Sequence, residues 1–158
     1  MRRSFAAITA LACLVAPASV LAENAYITNL ASANVSVIDT ATNTVIATIP
    51  VGIGPRGVAV TPDGSKVYVT NVQLPNPSVV SVIATATNTV IATIPLGGES
   101  NGVAVTPDGR KVYVANSGSN NVFVIDTATN AVIGSPIPVG LFPFGVAVGA
   151  VANCVGIC

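Results

Sequence analysis

The stretch YVTNVQLPNPSVVSVIATATNTVIATIPLGGESNGVAVTPDGRKV, Tyr68–Val112, is the central one of three near copies of a single unit. The copy before it is Tyr26–Val67, and the copy after it, Tyr113–Val148, stops at GVAV. The spacing is 42 residues from the first tyrosine to the second and 45 residues from the second to the third. A period of this size is typical of stacked supersecondary units, so one unit decides the architecture.

Each unit contains four short runs rich in Val and Ile, which favour strands, and turn residues separate the runs. The clearest set of four runs spans the border between the first and second copies. There the predicted strands are Gly57–Thr61, Lys66–Thr70, Val79–Ala84 and Thr89–Ile94. Both faces of these strands are apolar, as in a small sheet that lies between two neighbouring sheets. Four hairpin-connected strands of this kind are typical of a β-propeller blade. We therefore predict an all-β fold of about three four-stranded antiparallel blades.

If the four strands of a blade are lettered a to d from the inner to the outer strand, the repeats begin at a b strand and end at an a strand. The predicted order is bcd-abcd-abcd-a, in which a last strand over Gly145–Val148 completes the opening blade. Propellers typically have about 4–8 blades, so three blades predict a partial ring. Two copies could form a six-bladed ring with two-fold symmetry. The alternative is a truncated remnant of a longer propeller.

The motifs YITN, YVTN and YVAN, together with VSVIDTATNTVIATIPVG and GVAVTPDGSKVYV, resemble the YVTN family of β-propeller repeats. The similarity covers nearly all of residues 24–148, and we assign residues 23–151 to the repeats. The resemblance implies an exported or cell-surface protein related to surface-layer propellers and, more distantly, to lactonase-like propellers. This chain departs from the family pattern of about seven blades, and its final GVAV continues into GAVANC instead of TPDG.

The two ends of the chain differ from the repeats. Residues 1–22 have a basic start, an apolar core and a small residue at Ala22, which predicts a secretory signal peptide. An uncleaved anchor and lipidation at Cys13 are alternatives. Residues 152–158 form a tail in which Cys154 and Cys158 could pair as a disulfide after export, or remain free, or pair with another chain.

The composition excludes several classes of function. The chain has no histidine, which removes His-based catalytic triads and His-ligated metals, and we predict no metal and no cofactor. Without Arg2 and Arg3 the repeats retain four scattered basic and six acidic residues, which argues against nucleic-acid partners and a polybasic membrane patch. Past the N-terminus no apolar run approaches the ~20 residues of a membrane span.

The repeated polar residues are predicted to be structural. Asp63 and Asp108 occupy the same place in the two TPDG turns, and Asp39 and Asp126 open the two DTATN turns, where an aspartate can accept bonds from the following backbone. The three tyrosines that begin the units recur on the second strand. We expect them to pack between blades with the hydroxyl bonded at a blade edge.

The copies diverge in the segments between blades and in the loops between second and third strands. Because strands alternate in direction, both loop types should emerge at one end of the blades, where loops on a rigid scaffold commonly bind ligands. The candidate rim residues for a ligand or partner are Arg56, Gln73, Glu99, Asn101, Phe142 and Phe144. The alternatives are exposed loops without a role, and Phe142 and Phe144 as a cover for the open end of the stack.

The sequence therefore predicts an exported, non-catalytic repeat module that is secreted, periplasmic or at the cell surface. It would bind a protein, a glycan or another copy of itself, and a homodimer could complete the ring. The alternatives are a structural component of a surface layer or cell envelope, a truncated propeller remnant, and a lactonase-like hydrolase that uses carboxylates and Arg56.

Overall fold

The computed structural model describes residues 23–72 and 77–150, which form twelve β-strands. The predicted signal peptide, Gln73 and the two terminal cysteines Cys154 and Cys158 lie outside the described residues. Within the described ranges there is no helix, and so none with the length and hydropathy to cross a bilayer.

The strands form three antiparallel sheets, here called blades 1, 2 and 3, in which neighbours along the chain pair with each other. Blade 1 contains β1 (Asn24–Asn29), β2 (Asn34–Asp39) and β3 (Thr44–Pro50). Blade 2 contains β4 (Pro55–Val60), β5 (Lys66–Asn71), β6 (Val79–Ala84) and β7 (Thr89–Pro95). Blade 3 contains β8 (Ser100–Val105), β9 (Lys111–Asn116), β10 (Asn121–Asp126), β11 (Ala131–Val132) and β12 (Ile137–Pro138). The all-β fold and the four-stranded unit are confirmed.

The apolar core lies between the blades, in two layers. One layer joins blades 1 and 2 and contains Val67 and Val69, while the other joins blades 2 and 3 and contains Tyr68. All three side chains are fully buried. Because successive residues of a strand point to opposite faces, β5 packs against both neighbouring blades.

The outer strand of blade 3 is split into β11 and β12, whereas β3 and β7 are continuous. The sequence there is VIGSPIP instead of VIATIP, one residue longer. Gly134 has a φ of +68°, and Pro136 has no N–H for the ladder. The outer strand therefore pairs with β10 as two short pieces, and the Ile133 N–H between them donates to the Val124 carbonyl at 2.8 Å.

The predicted last strand over Gly145–Val148 is not formed. The N–H of Gly102 donates to the carbonyl of Phe144 at 2.8 Å, so this segment lies beside β8, the inner strand of blade 3. Among the described residues, β1 pairs with β2 alone.

Candidate functional site

The candidate site lies at the end of the blades where the variable loops emerge. The strand registers show this directly, because Asn71 at the end of β5 faces both Pro55 at the start of β4 and Val79 at the start of β6. The two loop types are also bonded to each other, as Val72 N–H donates to the carbonyl of Gly54 at 3.0 Å. We call this end of the blades the loop rim. It consists of the crossing segments 51–54, 96–99 and 139–143, the loops between second and third strands, and the first residues of the inner strands.

Arg56, Asn101 and Ser117 form a chain of hydrogen bonds across the loop rim. Arg56 is exposed at the start of β4, and its Nη1 donates to Oδ1 of Asn101. Asn101 Nδ2 in turn donates to Ser117 Oγ at 2.7 Å. The amide is only 2% exposed, so its bonds hold the guanidinium of blade 2 against blade 3.

A cleft of about 330 Å³ opens beside these groups. Its walls include Arg56, Asn101 and Phe144, which occupy the same position in three successive units. The lining is completed by the glycine and the valine that follow each of them, such as Gly57 and Val58. A methyl group on Gly57 would overlap the carbonyl oxygen of Asn101, so glycine here allows the close approach of two inner strands. The cleft thus combines an exposed cation with an exposed aromatic ring, and the buried amide of Asn101 lies between them along the repeat.

Phe142 lies on the loop rim with a φ of +51° and a side chain that is 78% exposed. The first copy has Gly54 at this position, also at positive φ. A bulky residue in the left-handed region is uncommon and is strained by about 1–3 kcal/mol. The side chain amide of Asn120 stabilises the turn, because its Oδ1 accepts from Phe142 N–H at 2.9 Å.

The predicted rim residues are thus only partly brought together. Arg56, Asn101 and Phe144 line the cleft, whereas Glu99 and Phe142 lie on the rim loops outside its lining. Glu99 contributes its backbone, since its carbonyl accepts from Ser117 N–H at 2.9 Å. Phe144 is 68% exposed at the mouth of the cleft.

The aspartates at the opposite end serve their own turns, as predicted. Asp63 Oδ1 accepts from Thr61 Oγ1 at 2.6 Å and from the N–H of Ser65 at 3.0 Å. The hydrogen bond from the Thr61 hydroxyl, followed by those from Ser65, lowers the pKa of Asp63 to about 2. Asp39 accepts from the backbone of its own turn in the same way, and the N–H of Thr42 holds its pKa below the usual range. These carboxylates are turn caps, and the described residues hold no metal-ligating cluster.

Tyr68 is the tyrosine whose role the structure shows most fully. Its ring is buried between blades 2 and 3, and its hydroxyl donates to Asn130 Oδ1 at 2.8 Å. Burial, with smaller contributions from Asp126 and Asp63, raises the pKa of Tyr68 to about 12. The expected packing between blades with a bonded hydroxyl is confirmed at this position.

Sequence reasoning missed the role of the threonine in the YVTN motif. Thr70 Oγ1 accepts from the N–H of Gly57 at 2.8 Å and donates to the carbonyl of Asn101 at 2.6 Å, which joins two inner strands. Thr28 makes the corresponding bond to the carbonyl of Arg56 at 2.8 Å. The third copy has Ala115, and there Gly102 N–H bonds directly to the next inner segment. The replacement of threonine by alanine in one copy was the available signal.

Sequence reasoning also missed a second cleft, of about 520 Å³, at the opposite end of the blades. The two TPDG turns and Thr127 of blade 3 line it. Lys66 Nζ crosses between blades 2 and 3 here and donates to the carbonyl of Thr127 at 2.6 Å. The polar groups of this cleft are hydrogen-bonded within the turns, as at Asp63 and Asp108, or between blades, as at Lys66.

No protein-family model and no curated protein matches the sequence. Among solved structures, the chain is similar to the hydrazine synthase of Kuenenia stuttgartiensis, with 31% identity, a TM-score of 0.66, and coverage of 73% of this chain and 34% of that one. It is also similar to the dihydro-heme d1 dehydrogenase NirN in complex with DHE, with 23% identity, a TM-score of 0.60, and coverage of 73% and 24%.

A third similar structure is the Dos1 propeller, with 15% identity, a TM-score of 0.57, and coverage of 68% of this chain and 27% of that one. The chain therefore spans about a third or less of the length of each of these proteins. All three are β-propeller proteins, and the antiparallel blades described above agree with them. The chain has a β-propeller fold with three blades in its described residues.

Proposed function

We propose that this protein is an exported, non-catalytic propeller of the YVTN type that binds a protein or a glycan at the cell envelope through its loop rim. The repeat motifs and the N-terminal pattern of residues 1–22 support export and the family assignment. The loop rim supports binding, because variable loops on a rigid β scaffold are common binding surfaces.

The observation on which the proposal rests is the cleft at Arg56, Asn101 and Phe144. Three equivalent backbone positions place Arg56, Asn101 and Phe144 around one space, on a framework that is otherwise repeated. The guanidinium and the aromatic ring are exposed there, and the buried amide of Asn101 holds the guanidinium in position. Arginine and aromatic side chains are enriched at protein interfaces. Backbone strain at the exposed Phe142 adds support, since strained exposed residues cluster at functional sites.

A binding role suits the side chains better than hydrolysis does. The turn aspartates such as Asp63 and Asp126 accept bonds from their own turns, and their lowered pKa values keep them ionised at neutral pH. A general acid or base needs a pKa nearer the working pH and a place in the cleft. The enzymatic activities named for two of the similar proteins belong to those proteins, which are about three to four times longer than the part that this chain matches.

The binding proposal is tested with an immobilised glycan array and a peptide display library, probed with the purified chain. For any ligand found, the variant Arg56→Ala/Glu99→Ala/Phe144→Ala should bind at least about tenfold more weakly, because a few rim side chains supply most of an interface's energy. The control is Ile91→Ala, which removes an exposed apolar side chain from β7, away from the loop rim. Equal binding by the triple variant, or no ligand from either library, would contradict the proposal.

The location is tested by fractionation of cells that express the full chain. Recovery in the medium, the periplasm or the envelope fraction supports export, and an envelope fraction that releases the protein only in denaturant favours a structural envelope component. Recovery in the cytoplasm with residues 1–22 still attached would contradict the export proposal.

A further inference from the structure

The contacts between neighbouring blades run in one direction. On blade 2, the side chains of Lys66 and Tyr68 on β5 donate to Thr127 and Asn130, which lie on the turn between β10 and β11 of blade 3. The inner strands follow the same order, since blade 2 reaches the carbonyl of Asn101 on β8 through Thr70. In this contact blade 2 supplies the donors and blade 3 the acceptors. The contact between blades 1 and 2 repeats the inner-strand bond alone, from the Thr28 hydroxyl to the carbonyl of Arg56.

Blade 3 presents the same donors at the end of the stack. Lys111 and Tyr113 on β9 occupy the positions of Lys66 and Tyr68 on β5. In the part of the chain that the structure describes, neither side chain has a hydrogen-bond partner. Beside them, the segment from Phe144 lies against β8 in the way that β8 lies against β4. The close approach shows this, because a methyl group on Gly102 would come within 2.6 Å of the Phe144 carbonyl oxygen, just as one on Gly57 would overlap that of Asn101.

Blade 1 presents the matching acceptors at the other end. Thr40 and Asn43 occupy the positions of Thr127 and Asn130. Asn43 is exposed and has a φ of +54°, close to the +52° of Asn130, so its turn has the backbone geometry of the turn that receives Tyr68. Asn88 of blade 2 shares that geometry, and its Oδ1 has no hydrogen-bond partner among the described residues. The outward edge of β1 is where blades 2 and 3 have an inner strand.

We propose that a second copy of the chain joins these two ends, head to tail. In blade 2 the register between inner and second strands is Val58 with Val69, Ala59 with Tyr68 and Val60 with Val67. The equivalent register pairs Val146, Ala147 and Val148 with Ile27, Tyr26 and Ala25 of the partner subunit. Tyr113 then donates to the side chain of Asn43 of the partner subunit, and Lys111 to the carbonyl of Thr40 of the partner subunit.

Two such interfaces close a ring of six blades with two-fold symmetry, within the usual range of about 4–8 blades. The unformed strand over residues 145–148 and the open edge of β1 are then two halves of one four-stranded blade. This inference rests on the contacts between blades and is independent of the proposed binding function.

The test is a disulfide between copies, in the full chain with Cys13→Ser, Cys154→Ser and Cys158→Ser. Facing residues of an antiparallel pair lie about 4.5–5.5 Å apart at Cα, within the range of a disulfide. A mixture of an Ile27→Cys chain and a Val146→Cys chain should oxidise to a covalent dimer. Ala147→Cys in place of Val146→Cys should link much less, because its side chain points to the other face of the strand.

Light scattering on the unmodified chain supplies the second measurement, with an expected mass of two chains. Tyr113→Phe removes one hydrogen bond from each interface and should raise the dissociation constant roughly tenfold or more. The two-copy ring would be overturned by a monomeric mass or by an open polymer in light scattering. It would also be overturned by a disulfide within one chain that carries both cysteines, or by equal cross-linking of Val146→Cys and Ala147→Cys. Binding at the loop rim is read separately on the glycan and peptide probes, so the two proposals fail independently.

Discussion

Thr70 allows the sharpest test of how the blades are joined. Its hydroxyl is buried and forms two bonds, one from the Gly57 N–H at 2.8 Å and one to the Asn101 carbonyl at 2.6 Å. Thr70→Val keeps the shape of the side chain but leaves both backbone groups unpaired. An unpaired buried polar group costs about 1–3 kcal/mol, so we expect the free energy of unfolding to fall by about 2–4 kcal/mol.

Thr70→Ala should cost less, about 1 kcal/mol, for a reason that the chain itself supplies. The third copy has Ala115 at this position, and there the Gly102 N–H donates directly to the Phe144 carbonyl at 2.8 Å. Without the γ-methyl groups of valine, the inner strands can approach and form the same direct bond between Gly57 and Asn101. Valine fills the gap and prevents that approach.

The measurement is urea unfolding of the three proteins, followed by circular dichroism. The control is Thr93→Val, an exposed threonine on β7, which should change the free energy of unfolding by less than about 0.5 kcal/mol. If Thr70→Val were as stable as the unmodified protein, the hydroxyl bridge would not stabilise the blade contact. If Thr70→Ala were as costly as Thr70→Val, the comparison with the third copy would be wrong.

Three further predictions concern backbone strain, close packing and pH. Phe142→Gly should raise the free energy of unfolding by about 0.5–1 kcal/mol, because glycine adopts positive φ without strain, and a lower thermal midpoint would contradict this. Gly57→Ala should lower the free energy of unfolding by about 1–3 kcal/mol, because its methyl group would overlap the carbonyl oxygen of Asn101. The control is Gly140→Ala, where no atom lies within 4 Å of the added methyl group and almost no change is expected. Equal urea midpoints for the two variants would refute the close approach. The pKa of Tyr68 is raised to about 12 from 10.0, so the unfolded chain loses this proton first and stability should decline as pH rises from 10 to 12. Tyr68→Phe should flatten that decline in urea midpoints, and an unchanged slope would contradict the assignment.

Local patterns predicted the blades well because each blade is built from neighbours in sequence. The run at Val79–Ala84 was predicted with the borders that β6 has. Alternation along β5 correctly placed Val67 and Val69 on one face and Tyr68 on the other. The TPDG turns were predicted from residue types that determine their own backbone geometry, as the bonds of Asp63 show.

The prediction of the last strand over Gly145–Val148 was wrong because it depended on the position of a distant blade. A repeat pattern indicates that a segment has the composition of an inner strand, but its expected partner is β1, and within the described residues β1 pairs with β2 alone. The split of the outer strand in blade 3 could have been anticipated from Gly134 and Pro136. The rim residues within the described ranges lie at the end of the blades where the variable loops emerge, but sequence could not separate those that line the cleft from Glu99 and Phe142.

By itself the sequence determined the unit, its four strands, its turns and the alternation of its faces, since these depend on residues within about ten positions of one another. The tertiary structure alone decided that Arg56, Asn101 and Phe144 share a cleft. Each of these residues is 43 or 45 positions from the next, and they meet only when β4, β8 and the segment from Phe144 lie side by side. It also decided that Thr70 bridges two blades, since the acceptor at Asn101 is 31 residues away. Such contacts depend on how one sheet packs on the next, which no local pattern of side chains specifies.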